Sequence, residues 1–588
     1  MSAPCDRRRR PCQPHATGRH DMRRGWMSLD GERKTKLETG RTRLLAMGVV
    51  FAFAFAVIGL RVLDVALLSG APTSTVAEAD RGRPHNARRA DIVDRNGNVL
   101  ATTLPAPSLF ANPQQIAEPT RVAARLASVL PDLSQAKAAR RMSMDREFIW
   151  IKRGLTPRQK ARINRLGVPG LHFREEEKRV YPQGELTAHV VGFTDPDGSG
   201  IAGVEKSFDD LLSNAHRPLR LSLDLRLQHI LSDELSRAMT EFRAEGAAGV
   251  VMDVRTGELL ALSSLPGFDP DTPGRASENN RFNRATLGVY EMGSVFKVFT
   301  TAGALDRGIV QLSDRFDVSD PIRIGGFSIR DFKPKDGKLT VPEIFMHSSN
   351  IGTARIARKV GTKAQRSTLR ELGLTTPARI ELPEVGQPML PSPWRPINTL
   401  TISYGHGLAV TPLQLTSAVA ATVNGGIRHN PTLLARERTD THSGRRVLSE
   451  GTSRTMRRLM RLVVEYGTGK KADAQGFRVG GKTGTADKLR NGRYQNDSRI
   501  ASFVGAFPMN DPHYVMFAMV DEPHGHESTY GYATGGWVAA PVVRRVIERS
   551  AGVLDVTPHR PTPTPKLANH PLLAQARANA EDTTLAPN

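Results

Sequence analysis

The chain has 588 residues, a formal net charge of +23, 39% hydrophobic residues and two cysteines, enough length for two or three domains with sizeable cores. Cys5 and Cys12 are the only cysteines, so a disulfide framework, a cysteine metal site and a thiol nucleophile are excluded beyond residue 12. His524-Gly525-His526-Glu527 puts alternate residues on a turn, so no metal is expected there, and the scattered basic residues form no stripe with interleaved aromatics, which argues against nucleic acid.

Residues 1–43 carry 12 Lys/Arg against 5 Asp/Glu and precede Leu44–Leu60, 17 residues without a charge. As a helix that run covers roughly 26 Å, the lower limit for a bilayer core. Arg61 sits where an arginine can snorkel to the headgroups. The positive-inside rule then places 1–43 in the cytoplasm, one transmembrane helix at 44–63, and the rest outside. A cleaved signal peptide fits less well, because the small residues at Ala77–Ala79 lie far from the end of the apolar run. Met22 and Met27 also fit as initiators.

Residues 64–224 read as a stalk and a separate domain. Ile92–Leu100 has two short apolar strands around an Asn-Gly turn, a hairpin signal. Residues 120–166 are Ala/Leu/Arg-rich at helical spacing, and Leu219–Leu223 reads as a returning strand. From 225 to 550 the texture changes. An amphipathic helix at Leu225–Arg243 precedes a strand–turn–strand at Ala247–Ala261. Further strands are expected at Ile500–Phe507 and Tyr514–Val520, then a helix at Val538–Ile547. Strands at both ends of a helical middle predict an α/β fold, a mixed sheet sandwiched by helices. Residues 551–588, rich in Pro, Ala and Thr, predict a disordered tail.

The chemistry concentrates at three places in this second domain. Ser294-Val295-Phe296-Lys297 opens an apolar helical run, and positions i and i+3 share a helix face. A serine is a poor nucleophile until a neighbouring base takes its proton, and a buried lysine beside another cation can be that base. Ser348-Ser349-Asn350 follows 54 residues later, with a hydroxyl and an amide two apart. Lys482-Thr483-Gly484-Thr485 comes a further 134 on and reads as a strand whose glycine admits a substrate against the backbone. Gly476–Thr483 also fits the phosphate-binding pattern G-x-x-x-x-G-K-[ST]. That loop needs a buried strand before it and a helix after it, and neither flank qualifies.

S-x-x-K, S-x-N and K-T-G in this order mark serine penicillin-binding enzymes, and over residues 89–550 the chain resembles the class B penicillin-binding proteins. Arg89-Ala90-Asp91-Ile92-Val93-Asp94-Arg95-Asn96-Gly97 is similar to the family's R-G-x-I-x-D-R-N-G, with Ala90 where glycine is usual. Arg179–Pro182, Gly200–Lys206, Asn283–Ser294 (with Met292 in place of the common proline), Thr401–Gly407 and Thr411–Gln414 also look like family segments. Ser348-x-Asn350 followed by Ile351-Gly352 resembles the division-specific branch.

The resemblance implies a penicillin-binding transpeptidase fold behind an elongated pedestal, acting outside the inner membrane without a cofactor. It implies stem peptides ending in D-Ala-D-Ala as substrates, β-lactams as mimics, and a membrane partner: a SEDS-family glycan polymerase of the FtsW type within the divisome. It assigns attack to Ser294, general base to Lys297, proton relay to Ser348, orientation to Asn350 and electrostatic support to Lys482. Thr483, Gly484 and Thr485 would bind substrate, with the amides of Ser294 and Thr485 as the oxyanion hole. An elongation-type transpeptidase and a penicillin-binding scaffold or sensor without turnover are the alternatives. A β-lactamase is disfavoured because no E-x-x-L-N-type segment supplies a deacylating carboxylate.

Overall fold

The structure, a computed structural model, describes residues 47–57, 59, 88–215, 217–436, 444–490, 493–560 and 566–585. It divides into two units, Met1–His85 and Asn86–Asn588. In the first, residues 47–57 are helical with their apolar side chains exposed, Phe53 at 72%. No helix among the described residues is long and apolar enough to cross a membrane. The remainder of the expected 44–63 span, the basic tail and the stalk to residue 87 lie outside the described residues.

The second unit begins with the pedestal. Strands β1 (Ile92–Val93) and β2 (Val99–Ala111) form the expected hairpin. Its turn forms because Asp94 accepts hydrogen bonds from the amides of Asn96 and Asn98, both at 2.8 Å, and Gly97 takes a positive φ of 88°. Strands β3 (Ile149–Lys152) and β4 (Leu171–Val180) both pair antiparallel with β2. Strand β5 (Leu219–Arg220) returns beside β1. The stretch predicted to be helical holds three helices, α1 (Pro119–Val129), α2 (Gln135–Met142) and α3 (Pro157–Asn164), around a core of Leu109, Leu126, Ile149 and Ile163.

Three of the family-like segments meet in one buried ion cluster. Glu205, with no exposed surface, accepts from Arg89 Nε and Arg179 Nε at 2.7 Å each, and Arg89 Nη1 reaches Asp209 at 2.7 Å. A carboxylate buried this deeply is tolerated because both oxygens are matched by charged donors; removing either partner of such a pair costs about 3–5 kcal/mol.

The transpeptidase domain is built on a five-stranded sheet in the order β8–β9–β10–β6–β7. These strands are β6 (Gly246–Asp253), β7 (Leu259–Leu265), β8 (Gly480–Arg490), β9 (Arg493–Phe507) and β10 (Tyr514–Asp521). Every pairing in this sheet is antiparallel. Of the mixture of directions expected, the parallel pairing lies in the pedestal, between β1 and β5. Neighbours in sequence join by hairpins, and the two hairpin blocks fuse where β10 meets β6.

Helices cover both faces. Helix α4 (Leu225–Glu241) and the later helix Ala539–Ser550 pack on one face through Leu231, Leu235, Val543 and Ile547. The other face carries α5 (Lys297–Asp306), α6 (Val341–His347), α7 (Asn350–Glu371), α8 (Pro412–Val423) and α9 (Glu450–Glu465). Helix α10 is Ala539–Ser550.

Beyond residue 550 the structure differs from the expected disorder. Residues Pro571–Leu585 form a helix, α11, with Leu572, Leu573 and Ala576 buried. Arg577 reaches Glu343 of α6 at 2.7 Å. Three apolar side chains are too few to show as a period in a Pro- and Ala-rich sequence, yet they suffice once a domain surface is there to receive them.

Candidate active site

The S-x-x-K element begins as a 3-10 turn, Gly293–Phe296, which runs straight into α5. The turn is pressed between two backbones. A Cβ on Gly293, which has φ 52°, would stand 2.4 Å from the carbonyl oxygen of Thr485, and one on Gly405 would stand 1.9 Å from that of Gly293. Glycine is therefore required at both places. The segment Thr401–Gly407 thus buttresses the nucleophile, with Gly407 N–H donating to Glu291 Oε1 at 2.8 Å. Ser294 is half-buried and follows Gly293 directly, so its amide lies beside the backbone of Thr485.

Lys297 is fully buried. Its Nζ donates to Ser348 Oγ at 3.0 Å, to Asn350 Oδ1 at 2.7 Å and to the Ser348 carbonyl oxygen. Lys482, also fully buried, donates to the same Ser348 Oγ at 2.8 Å. Two buried ammonium groups on one hydroxyl oxygen repel and are poorly solvated. Burial, followed by the charge of Lys482, holds Lys297 well below the usual lysine range, and burial brings Lys482 to about 7. A lysine that gives up its proton more readily than usual is what a base for serine requires.

Ser348 can accept from both lysines because it takes the left-handed conformation, φ 61° and ψ 42°, at the end of α6. Thr483 Oγ1 shares a 2.7 Å hydrogen bond with Thr468 Oγ1. Thr485 Oγ1 accepts from Gly535 N–H at 3.1 Å. A Cβ on Gly484 would sit 2.5 Å from the carbonyl of Met292, so the strand can pass under the nucleophile only with glycine there.

The eight residues singled out from the sequence, Ser294, Lys297, Ser348, Asn350, Lys482, Thr483, Gly484 and Thr485, thus surround one site. One expected contact is not made: among the described residues Ser294 Oγ has no hydrogen bond to Lys297, whose donors are directed to Ser348 and Asn350. Catalytic hydrogen bonds commonly tighten only with substrate bound. The phosphate-binding reading of Gly476–Thr483 fails, since Lys482 and Thr483 lie in a strand and not at a helix N-terminus. The sequence reading missed Thr468, Gly535 and Asp331. Asp331 accepts from Ser349 Oγ at 2.6 Å and from the amides of Asn350 at 2.5 Å and Ile351 at 3.0 Å.

The comparisons with known proteins agree with this geometry. Residues 247–548 match the penicillin binding protein transpeptidase domain, and residues 84–216 match the penicillin-binding protein dimerisation domain. A relative from Caulobacter vibrioides, "Probable peptidoglycan D,D-transpeptidase FtsI", is 40% identical over 83% of this chain and 85% of its own. The chain belongs to the class B penicillin-binding proteins. The Escherichia coli K12 peptidoglycan D,D-transpeptidase FtsI is 31% identical over 88% of this penicillin-binding protein and 92% of its own length. The crystal structure of penicillin binding protein 3 from Mycobacterium tuberculosis complexed with ampicillin superposes with a TM-score of 0.65 at 26% identity, covering 82% of this chain and 98% of that one.

Proposed function

We propose that this chain is a serine D,D-transpeptidase that cross-links peptidoglycan stem peptides during septal wall synthesis, and that β-lactams trap it as an acyl-enzyme. The observation that carries this reading is the pair of buried lysines converging on Ser348 Oγ, one of them Lys297, a single turn after Ser294. With Lys297 neutral, its lone pair takes the Ser294 proton as Oγ attacks the carbonyl between the last two D-alanines. The oxyanion meets the amides of Ser294 and Thr485, each such donor contributing roughly 2.7–4 kcal/mol in comparable sites. The C–N bond breaks as Ser348, bonded to both lysines, passes a proton to the departing D-alanine. A second stem peptide's amine then attacks the acyl-enzyme, transfers its proton back through the same groups and releases Ser294. Lys482, Thr483 and Thr485 receive the substrate carboxylate.

The same reading makes residues 44–63 a single-pass anchor in the inner membrane, with 1–43 cytoplasmic and the catalytic domain periplasmic. The charge asymmetry and the exposed apolar helix at 47–57 support it. It also gives the enzyme a glycan polymerase of the FtsW type and other divisome proteins as membrane partners. The test is labelling with a fluorescent penicillin and peptide mapping of the adduct. A stable adduct on Ser294, absent from Ser294→Ala, is expected. Equal labelling of the Ser294→Ala protein would overturn the assignment.

A further inference from the structure

Asn350 orients Lys297, and something must orient Asn350. The segment that does so is the loop leaving the hairpin of Ile322–Ile324 with Phe327–Ile329. Arg330 and Asp331 lie just beyond it. The Arg330 carbonyl accepts from Asn350 Nδ2 at 2.9 Å, so the amide oxygen is turned toward Lys297 Nζ. The Asp331 carboxylate spans the first turn of α7: one oxygen takes the amides of Asn350 and Ile351, and the other takes the Ser349 hydroxyl. That hydroxyl in turn accepts from Gly352 N–H at 2.9 Å as the helix N-cap. Three of the donors left unpaired at a helix start are thereby satisfied, and an anion sits where the helix dipole favours one.

We propose that Asp331 is a positioning residue of this transpeptidase, which locks Ser349-Asn350-Ile351 in register with Lys297 and places a carboxylate one hydrogen-bonded residue away from that lysine. The proposal rests on the reading of Lys297 as the base. Its second part comes from the charges that surround Lys297. Lys482 on β8 opposes its protonation, Asp331 favours it, and His406 beyond Thr401 is the further titratable group interacting with it. Ser348 and Asn350, the direct hydrogen-bond partners, are neutral. Asp331 is thus the acidic group that acts on Lys297, through Asn350 and without touching the lysine itself.

A plain helix cap and a charge-setting positioning residue make different forecasts. Asp331→Asn keeps the shape and an acceptor but removes the charge. Asp331→Ala removes both. For the acylation rate of the full chain by a penicillin, read against pH, Asp331→Ala should fall on the order of a hundredfold, the scale of an ångström's misplacement at a reacting centre. Asp331→Asn should fall less, and the acid limb of its profile should move to lower pH, because loss of the anion lets Lys297 shed its proton sooner. Asp331→Glu should recover part of the rate. A wild-type rate and profile in Asp331→Asn would overturn the proposal. So would a lowered rate with an unmoved acid limb, which would leave Asp331 as a helix cap. Unchanged labelling of Ser294→Ala would instead overturn the underlying enzyme assignment, so the two failures are distinguishable.

Discussion

Lys482 ties catalysis to stability at the scale of a single residue. In the unfolded chain its amine holds a proton up to about 10.5, whereas in the folded site burial brings it to about 7. Between those values the unfolded state binds the extra proton. Folding is therefore favoured as pH rises across the window and disfavoured as pH falls toward 7; below 7 both states are protonated and the penalty is complete. Lys297 is depressed for the same reason and acts in the same direction. Chemical denaturation at pH 7 and pH 9 should show the protein more stable at pH 9, by up to ~1.4 kcal/mol per pH unit for each proton involved. A Lys482→Met variant should show a shallower slope. A flat or falling wild-type profile would mean that these amines are better solvated than their surroundings imply.

The tail helix α11 argues its case at the scale of an element. Leu572 and Leu573 have no exposed surface, whereas the Arg577–Glu343 pair is partly open to water. Packing should therefore dominate. Leu572→Ala is expected to destabilise by about 2–5 kcal/mol, and Arg577→Ala by no more than ~1 kcal/mol, both read from denaturation midpoints. The reverse ranking would show that the helix is held by charge. This helix was also the element hardest to read from sequence. Strands such as Tyr514–Val520 and the helix from Leu225 announced themselves through continuous or periodic apolar residues. Helix α11 has no such pattern and depends on the surface of α6. The same division runs through the site. Ser294 and Lys297 were legible because three residues of spacing put them on one turn, and Lys482–Thr485 because the tetrapeptide is distinctive. Asp331 and Thr468 are single polar residues carried into place by tertiary contacts, and nothing in their local sequence marks them.

At the scale of the whole molecule, the pedestal is fastened to the catalytic domain by the same turn that shapes its hairpin. Asp94 accepts from the amide of Leu225, the first residue of α4, and Asn96 Nδ2 donates to Asp224 at 3.1 Å. The family-like segment at 89–97 therefore serves as a hinge plate between domains as well as a hairpin. The order of the catalytic sheet carries a different consequence, one of timing. Strands β6 and β7 form one hairpin and β8 to β10 a second block, and each can assemble from nearby chain. Ser294 follows the first and Lys482 belongs to the second, and the seam between them pairs Gly246 with Asp521 and Asp253 with Tyr514. Closing so long an intervening loop is entropically slow, and contacts of this range set folding rates. Pulse-labelled hydrogen exchange during refolding should find Gly480–Asp521 protected before the seam closes, and penicillin reactivity should emerge only with the later phase. Reactivity preceding seam protection would show that the nucleophile matures without its second half. On this arrangement the enzyme is expected to stay silent until its two halves have found each other, and a half-folded chain to react with no penicillin.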